Sequence, residues 1–443
     1  MTGRGLILAA PGSGSGKTLV TAGLARHLRR CGFRVAAAKA GPDFIDASFH
    51  AAATGKPCIN LDVWAMRPET LASLVTELEA TTEIVLCEGV MGLFDGTGPD
   101  GETGSTAELA RLTGWPVVLI IDARGQGASV AATLRGFLSH QPSLSLAGVI
   151  FNRVSGERHS AILTSAVTRH LPDLVCVGTL SANPELILPS RHLGLVPAGE
   201  VAEADAVIDR CAAQIATTFD VDRLLSLARR SVLDAAKEDA PIPPLGQRIA
   251  IARDEAFCFA YPALLEGWRR QGAELSFFSP LADEPPPAIA DSVYLPGGYP
   301  ELWTGRLAAA DAFIAGLRAT AADEKPVYGE CGGYMVLGEV LVDAAGRGRR
   351  VAGLLPLVTS FAERRLHLGY RCATMLGENP FGAPGARFCG HEFHYASVVE
   401  ERGAHQLLSV TDASGISLGG YGVQRGSVFG SFIHLIDCCG ETD

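Results

Sequence analysis

The sequence predicts two successive α/β domains, each on a parallel sheet, and three observations carry that expectation. Short, fully apolar runs such as Val117–Ile121 have the character of parallel strands buried on both faces. Such runs alternate with helical segments through both halves of the chain. Between the halves, Val201–Lys237 has helical spacing and ends in Pro241-Ile242-Pro243-Pro244, a cluster that cannot continue a helix. The expected organisation is a first domain over 1–195, a helical segment with a proline-rich linker over 196–245, and a second domain over 246–443.

Taken in order, Leu6–Ala10 is the first strand, stopped by Pro11 and a glycine-rich loop. A helix over about Lys17–Arg30 follows, with Gly32 placed to cap it. Arg34–Ala38, Ile84–Cys87, Val117–Ile121, Ala147–Phe151 and Cys176–Leu180 are the further strands, and Arg248–Ala252 opens the second domain.

Composition limits the function classes. With 443 residues, 47% hydrophobic and 19% charged, the chain lies far from the disordered profile. Its apolar runs are much shorter than the roughly 18 residues of a spanning helix. The 37 basic and 48 acidic side chains give a net charge of −11, which argues against nucleic acid and anionic membranes as partners. The 11 cysteines contain no Cys-x-x-Cys pair, so neither a zinc ribbon nor a thioredoxin-type motif is expected. The first residues lead into a strand without a secretory segment. The expectation is therefore a cytoplasmic protein with reduced, mostly buried thiols.

Ala10-Pro11-Gly12-Ser13-Gly14-Ser15-Gly16-Lys17-Thr18 stands where a phosphate-binding loop belongs, after a strand and before a helix. Glycines let backbone N–H groups curl around phosphate oxygens at a helix N-terminus. Lys17 would reach the outer phosphates of ATP and Thr18 would offer its hydroxyl to Mg²⁺. The departure is Pro11, where the strict pattern has glycine. Asp43 and Asp46 follow the second strand, and Glu88 and Asp95 follow the third. In an open parallel sheet the carboxyl ends of strands converge on the binding crevice, so these acids are candidates to flank the phosphates and hold Mg²⁺. Asn152, at a later strand end, is a candidate for the nucleotide base or an ordinary turn asparagine.

In the second domain, Gly329-Glu330-Cys331-Gly332-Gly333 places one thiol between a strand and a helical segment with small neighbours, the setting of a nucleophile elbow. His434, ending Gly430-Ser431-Phe432-Ile433-His434, is the candidate base. Pro296-Gly297-Gly298 offers N–H groups to an oxyanion. Position 436 is Ile, so no acid two residues beyond the histidine orients it, leaving a dyad or another orienting group. His391, Glu392 and His394 form a further polar cluster, more suited to a substrate-facing or structural role than to zinc.

Together these motifs, with Gly41-Pro42-Asp43-Phe44-Ile45-Asp46 and Glu88-Gly89-Val90-Met91-Gly92-Leu93-Phe94-Asp95-Gly96, resemble the cobyrinic acid a,c-diamide synthases, which include the hydrogenobyrinic acid enzymes of the aerobic pathway. The resemblance covers nearly the whole chain in the expected domain order. It implies an N-terminal domain similar to dethiobiotin synthetase and a C-terminal class I glutamine amidotransferase domain without the usual triad acid. It further implies that Cys331 attacks glutamine, that His434 handles protons, and that Gly298 and Gly332 donate to the oxyanion. Ammonia would then displace phosphate from acyl phosphates made with ATP and Mg²⁺ on the a and c acetates of a corrinoid. Asp43 and Glu88, with Thr18, would hold the metal, Asp46 and Asp95 would lie beside it towards the substrate, and Arg364, Arg365 and Arg371 are candidates to meet the corrinoid carboxylates. The resemblance leaves open cobalt in the substrate, the order of amidation and the oligomeric state, a homodimer included. Rival readings are amidation of another tetrapyrrole such as nickel sirohydrochlorin, a cobyric acid synthase, and a partitioning-type regulatory ATPase. The last carries a signature lysine where this chain has Gly12.

Overall fold

The computed structural model describes residues 3–191, 194–234, 242–403 and 405–439. The chain divides into two compact units, Met1–Trp64 with Pro68–Glu238, and Ala65–Arg67 with Asp239–Asp443. Among the described residues no helix is long and apolar enough to cross a membrane.

The first unit runs β1 (Arg4–Ala9), α1 (Lys17–Arg30), β2 (Val35–Ala40), α2 (Ile45–Thr54), β3 (Ile59–Leu61), α3 (Pro68–Thr81), β4 (Ile84–Glu88), α4 (Thr106–Thr113), β5 (Val117–Asp122), α5 (Val130–His140), β6 (Leu146–Val154), α6 (Glu157–His170) and β7 (Val175–Ser181). Its seven strands are ordered β3-β2-β4-β1-β5-β6-β7, and every pairing is parallel. β1 lies at the centre because Leu6, Ile7 and Leu8 bury completely on both faces. The carboxyl ends of β1, β2 and β4 therefore open side by side, and the candidate loops start there. A two-stranded ribbon, β8 (Ser190–Arg191) with β9 (Gly194–Leu195), follows.

The helical stretch after it differs from the expectation of a connecting segment. Helices α7 (Ala204–Thr218) and α8 (Val221–Leu227) belong to the first unit. The apolar face of α7, with Ile208, Cys211 and Ile215 at 0% exposure, covers α1. Arg26 of α1 holds it by ion pairs to Asp205 at 2.6 Å and Asp209 at 2.5 Å. An amphipathic helix has to bury its stripe somewhere, and here the stripe is part of the domain. Of the proline cluster, Pro241 lies outside the described residues.

The second unit contains β10 (Arg248–Ala252), α9 (Pro262–Arg270), β11 (Glu274–Phe278), β12 (Ser292–Leu295), α10 (Thr304–Ala308), α11 (Asp311–Ala322), β13 (Val327–Glu330) and α12 (Gly332–Leu337). A small sheet, β15-β14-β16-β19, is made by β14 (Val340–Val342), β15 (Gly348–Arg350), β16 (Leu357–Ser360) and β19 (Ser397–Glu401). The remaining strands are β17 (His367–Met375), β18 (Arg387–His394), β20 (His405–Asp412), β21 (Ser417–Arg425), β22 (Val428–Ser431) and β23 (Ile433–Cys438). They complete a ten-stranded sheet ordered β11-β10-β12-β13-β22-β21-β20-β17-β18-β23. The expected parallel sheet is only half right. From β11 to β22 the pairs are parallel, and from β22 onward they are antiparallel. Among the antiparallel strands, β17, β20 and β21 are partly exposed to water and lack the continuous apolar run. The core sits under β10, β12 and β13, around Phe257, Phe313, Leu317, Leu337 and Val293.

The expectation of buried thiols is also corrected. Only Cys58, Cys87, Cys211 and Cys331 are buried, while Cys31 and Cys258 are exposed. Cys372, Cys389 and Cys439, far apart in sequence, have sulfur atoms within 4.8 Å of one another across neighbouring strands.

Candidate active sites

The phosphate loop leaves β1 and enters α1 through two left-handed turns, at Gly14 (φ 78°) and Gly16 (φ 89°), which a side chain would strain. Ser15 Oγ donates to the Gly12 carbonyl at 2.9 Å, closing the loop on itself. Pro11 does not spoil this shape. Its carbonyl packs against Gly92 of the loop after β4, where a β-carbon would have no room. Asp95 holds that second loop by accepting from the Gly92 N–H at 2.9 Å. Lys17 crosses to it, with Nζ 2.5 Å from the carbonyl oxygen of Met91.

Behind Lys17 the acids gather as expected. Thr18 Oγ1 lies 2.9 Å from Glu88 Oε1 and 3.1 Å from Asp46 Oδ1. Asp43 Oδ1 accepts from the N–H groups of Ile45 at 2.7 Å and Asp46 at 2.9 Å, so it fixes the start of α2. Two residues missed in the sequence complete the site. Lys39 of β2 is fully buried, donating to the Gly89 carbonyl at 2.9 Å and lying 3.3 Å from Asp46 and 4.0 Å from Glu88. His50 Nε2 lies 2.5 Å from Glu88 Oε2. The available signal was a lone lysine in the small, apolar strand Val-Ala-Ala-Ala-Lys-Ala, because lysines bury only when paired.

Burial would raise the Glu88 carboxyl, but Lys39, His50 and Lys17 outweigh it and hold it at about 2. Asp46 goes the other way. Burial, then the charges of Asp43 and Glu88, push its carboxyl up to about 8. Burial also pulls Lys17 below the ordinary lysine value, against the attraction of Glu88. A hydroxyl and two crowded carboxylates are hard oxygen donors that suit a divalent cation, so Thr18, Glu88 and Asp46 fit Mg²⁺. Asp43, expected as a ligand, is instead engaged with the backbone N–H groups that start α2, and Asp46 takes its place beside Thr18. Asn152 Nδ2 donates to the Ser15 carbonyl at 2.9 Å and Arg153 to the Gly14 carbonyl at 2.7 Å, both bracing the loop.

The second site is built on Cys331, whose φ of 46° and ψ of −106° put a non-glycine residue in strained, left-handed backbone between β13 and α12. Small residues make the turn possible. A β-carbon on Gly332 would come to 3.0 Å from the Gly298 nitrogen, so the two glycine segments pack directly against each other. One on Gly297 would come within 3.3 Å of Cys331 Cβ and 3.2 Å of His434 Nε2. Gly297 is thus the floor on which thiol and imidazole meet. The Cys331 N–H is fixed to the Ser431 carbonyl at 2.8 Å.

Burial alone would lower the His434 imidazole. The Cys331 thiol and the Glu330 carboxyl outweigh it and hold the imidazole up at about 10. Across the strand pair, His391 faces His434, and burial followed by the His434 charge drives it down to about 3. The other predicted residues form a linked group. Arg371 lies 2.7 Å from Glu392, which in turn is 2.9 Å from His394 Nε2. The His394 ring stacks on Phe432 at 3.9 Å and on His367 at 4.7 Å, so a third histidine joins the cluster. Arg371 is therefore engaged by Glu392, while Arg364 and Arg365 are exposed.

Comparison with known proteins finds matches to both halves of the chain. Residues 6–196 match the CobQ/CobB/MinD/ParA nucleotide binding domain and residues 248–438 the CobB/CobQ-like glutamine amidotransferase domain. The chain thus falls in the class of nucleotide-binding glutamine amidotransferases. A protein of Brucella anthropi named hydrogenobyrinate a,c-diamide synthase is 50% identical over 99% of both chains. Proteins of the same name are 51% identical in Brucella abortus, over 99% of both chains, and 50% identical in Rhodobacter capsulatus, over 98% of both. The chain belongs to the hydrogenobyrinate a,c-diamide synthase family.

Proposed function

We propose that the chain converts the a and c acetate carboxylates of hydrogenobyrinate to amides, with glutamine as nitrogen donor and ATP as driving force. The observation that carries this reading is full-length identity of about half to relatives of that name, with both sets of candidate residues present.

In the second unit, the Cys331 thiolate attacks the glutamine amide carbon, and His434 gives its proton to the departing ammonia. The Gly298 and Gly332 N–H groups receive the oxyanion. Water, deprotonated by His434, then frees glutamate from the thioester. In the first unit, the glycine loop and Lys17 hold the triphosphate for in-line attack by an acetate oxygen. Phosphorylation is needed because a carboxylate is a poor electrophile and an acyl phosphate a good one. Ammonia adds to the acyl carbon and phosphate leaves with the bonding electrons. Thr18, Glu88 and Asp46 would hold Mg²⁺, which when bound neutralises phosphate charge. Lys39 keeps Glu88 and Asp46 compensated, and Asp43 and Asp95 hold the loops that carry them.

Incubation with ATP, Mg²⁺, glutamine and, separately, hydrogenobyrinate, cobyrinate and nickel sirohydrochlorin tests the reading, with amides counted by mass spectrometry. Two amides on hydrogenobyrinate, formed faster than on either metallated acid, are expected. No amidation of hydrogenobyrinate would reject the proposal.

A further inference from the structure

His434 has Ile436 two residues on, where no acid can orient it, yet the structure supplies a carboxyl from another direction. Glu330, the residue before the nucleophile, ends β13 and is 1% exposed. Its Oε2 lies 3.5 Å from His434 Nδ1 and accepts from the Tyr294 hydroxyl at 2.7 Å. Its Oε1 accepts from the Tyr328 hydroxyl at 2.9 Å and from the Leu435 N–H at 3.1 Å. The Leu435 bond ties the carboxyl to the residue following the histidine, so the acid and β23 are held in one register. The two tyrosines are register partners on β12 and β13, with rings stacked at 5.6 Å and 11°. Burial, then the Glu330 charge, raises both phenols well above their ordinary value, so they remain donors.

We propose that Glu330 is the positioning acid of the glutamine site, holding His434 through Nδ1 so that Nε2 faces Cys331. This rests on the glutaminase reading of the Cys331 site. The geometry gives it three supports. Gly297 lies against both His434 Nε2 and Cys331, so Nε2 is the nitrogen on the thiol side. Nδ1 is then the nitrogen left for the carboxyl, 3.5 Å away, the kind of long approach that catalytic pairs commonly show when no substrate is bound. The two tyrosines and Leu435 clamp Glu330 without competing as acceptors, so its alignment does not depend on solvent. A triad acid placed beside the nucleophile plays the part of one on the histidine strand, because such a constellation is defined by geometry and not by chain position. The groups facing His434 are the Cys331 thiol, Glu330 and, from β18, His391, with Arg371 and Glu392 further along that sheet.

The test compares glutamine- and ammonia-dependent amide formation in the full chain for wild type, Glu330→Gln, Glu330→Asp and Cys331→Ala. Glu330→Gln is expected to lower kcat with glutamine by about 100-fold. Its KM for glutamine should hold, its alkaline limb should move to lower pH, and its rate with ammonia should be kept. Glu330→Asp should recover part of the rate and of the limb. Wild-type kcat and pH profile in Glu330→Gln would overturn the proposal. If instead wild-type glutamine use survives Cys331→Ala, the glutaminase reading itself has failed. Should Glu330→Gln not fold, ¹⁵N-histidine NMR of the wild-type chain decides, with His434 assigned through His434→Gln. A doubly protonated ring up to about pH 9 is expected, and a ring titrating near the ordinary 6.5 would overturn the assignment.

Discussion

The two sites solve the problem of buried charge in opposite ways. The phosphate-loop site packs three carboxyls, Asp43, Asp46 and Glu88, against two lysines and a histidine, so that no group is far from several partners. The cysteine site has a single imidazole held charged by one thiol and one carboxyl, on backbone strained to bring them together. A crowded network tolerates the loss of a peripheral member and suffers from the loss of a central one. A sparse set of three has no spare member. Substitutions should therefore range from slight to severe in the first site and be severe throughout the second.

The largest expected effect is that of Lys17→Ala, which removes the cation aimed at the phosphates. ATP-dependent amidation should fall by on the order of 10³-fold with glutamine and ammonia alike. A wild-type rate with either donor would show that the loop does not bind the nucleotide in this way. Gly297→Ala comes next, because its methyl would displace His434 from the thiol. A loss of about 100-fold with glutamine only is expected, measured against the rate with ammonia. Lys39→Met leaves Glu88 and Asp46 without their buried counter-charge and should destabilise the protein by about 3 kcal/mol in urea unfolding. Unchanged stability would mean that the network does not need its centre. Asn152→Ala, which only loosens the loop, should raise KM for ATP by about 3- to 10-fold.

The sites also diverge in pH. Glu88 is held at about 2, below its ordinary value, so its contribution is complete above that ordinary value and is lost only as pH falls towards 2. His434 is raised to about 10, so the stability its charge contributes is complete below about 6.5 and is lost by the time pH has risen through 10, where the ring gives up its proton. Glutamine-dependent turnover should therefore fail at the alkaline end before ammonia-dependent turnover does. Identical alkaline limbs with the two nitrogen sources would contradict the charged dyad.

Motifs with a local cause were legible in the sequence. The glycine loop, the acids at strand ends and the cysteine between small residues each follow from a neighbour a few residues away. Residues defined by register across strands were not. Glu330 reaches His434 from a strand about a hundred positions earlier, and Lys39 meets Asp46 and Glu88 only once β2 and β4 pair. The antiparallel half of the second sheet was hidden for a related reason. Its half-exposed strands lack the uniform apolar runs that marked the parallel ones. The α7 stripe looked like connecting helix because its partner, α1, lies almost two hundred residues away.

The most direct measurement of the whole account is the amide count on hydrogenobyrinate produced by Cys331→Ala with each nitrogen source. No amides from glutamine and two from ammonia are predicted, since the thiol serves only to release ammonia. Two amides from glutamine, or none from ammonia in a folded variant, would contradict the division of labour between the two sites.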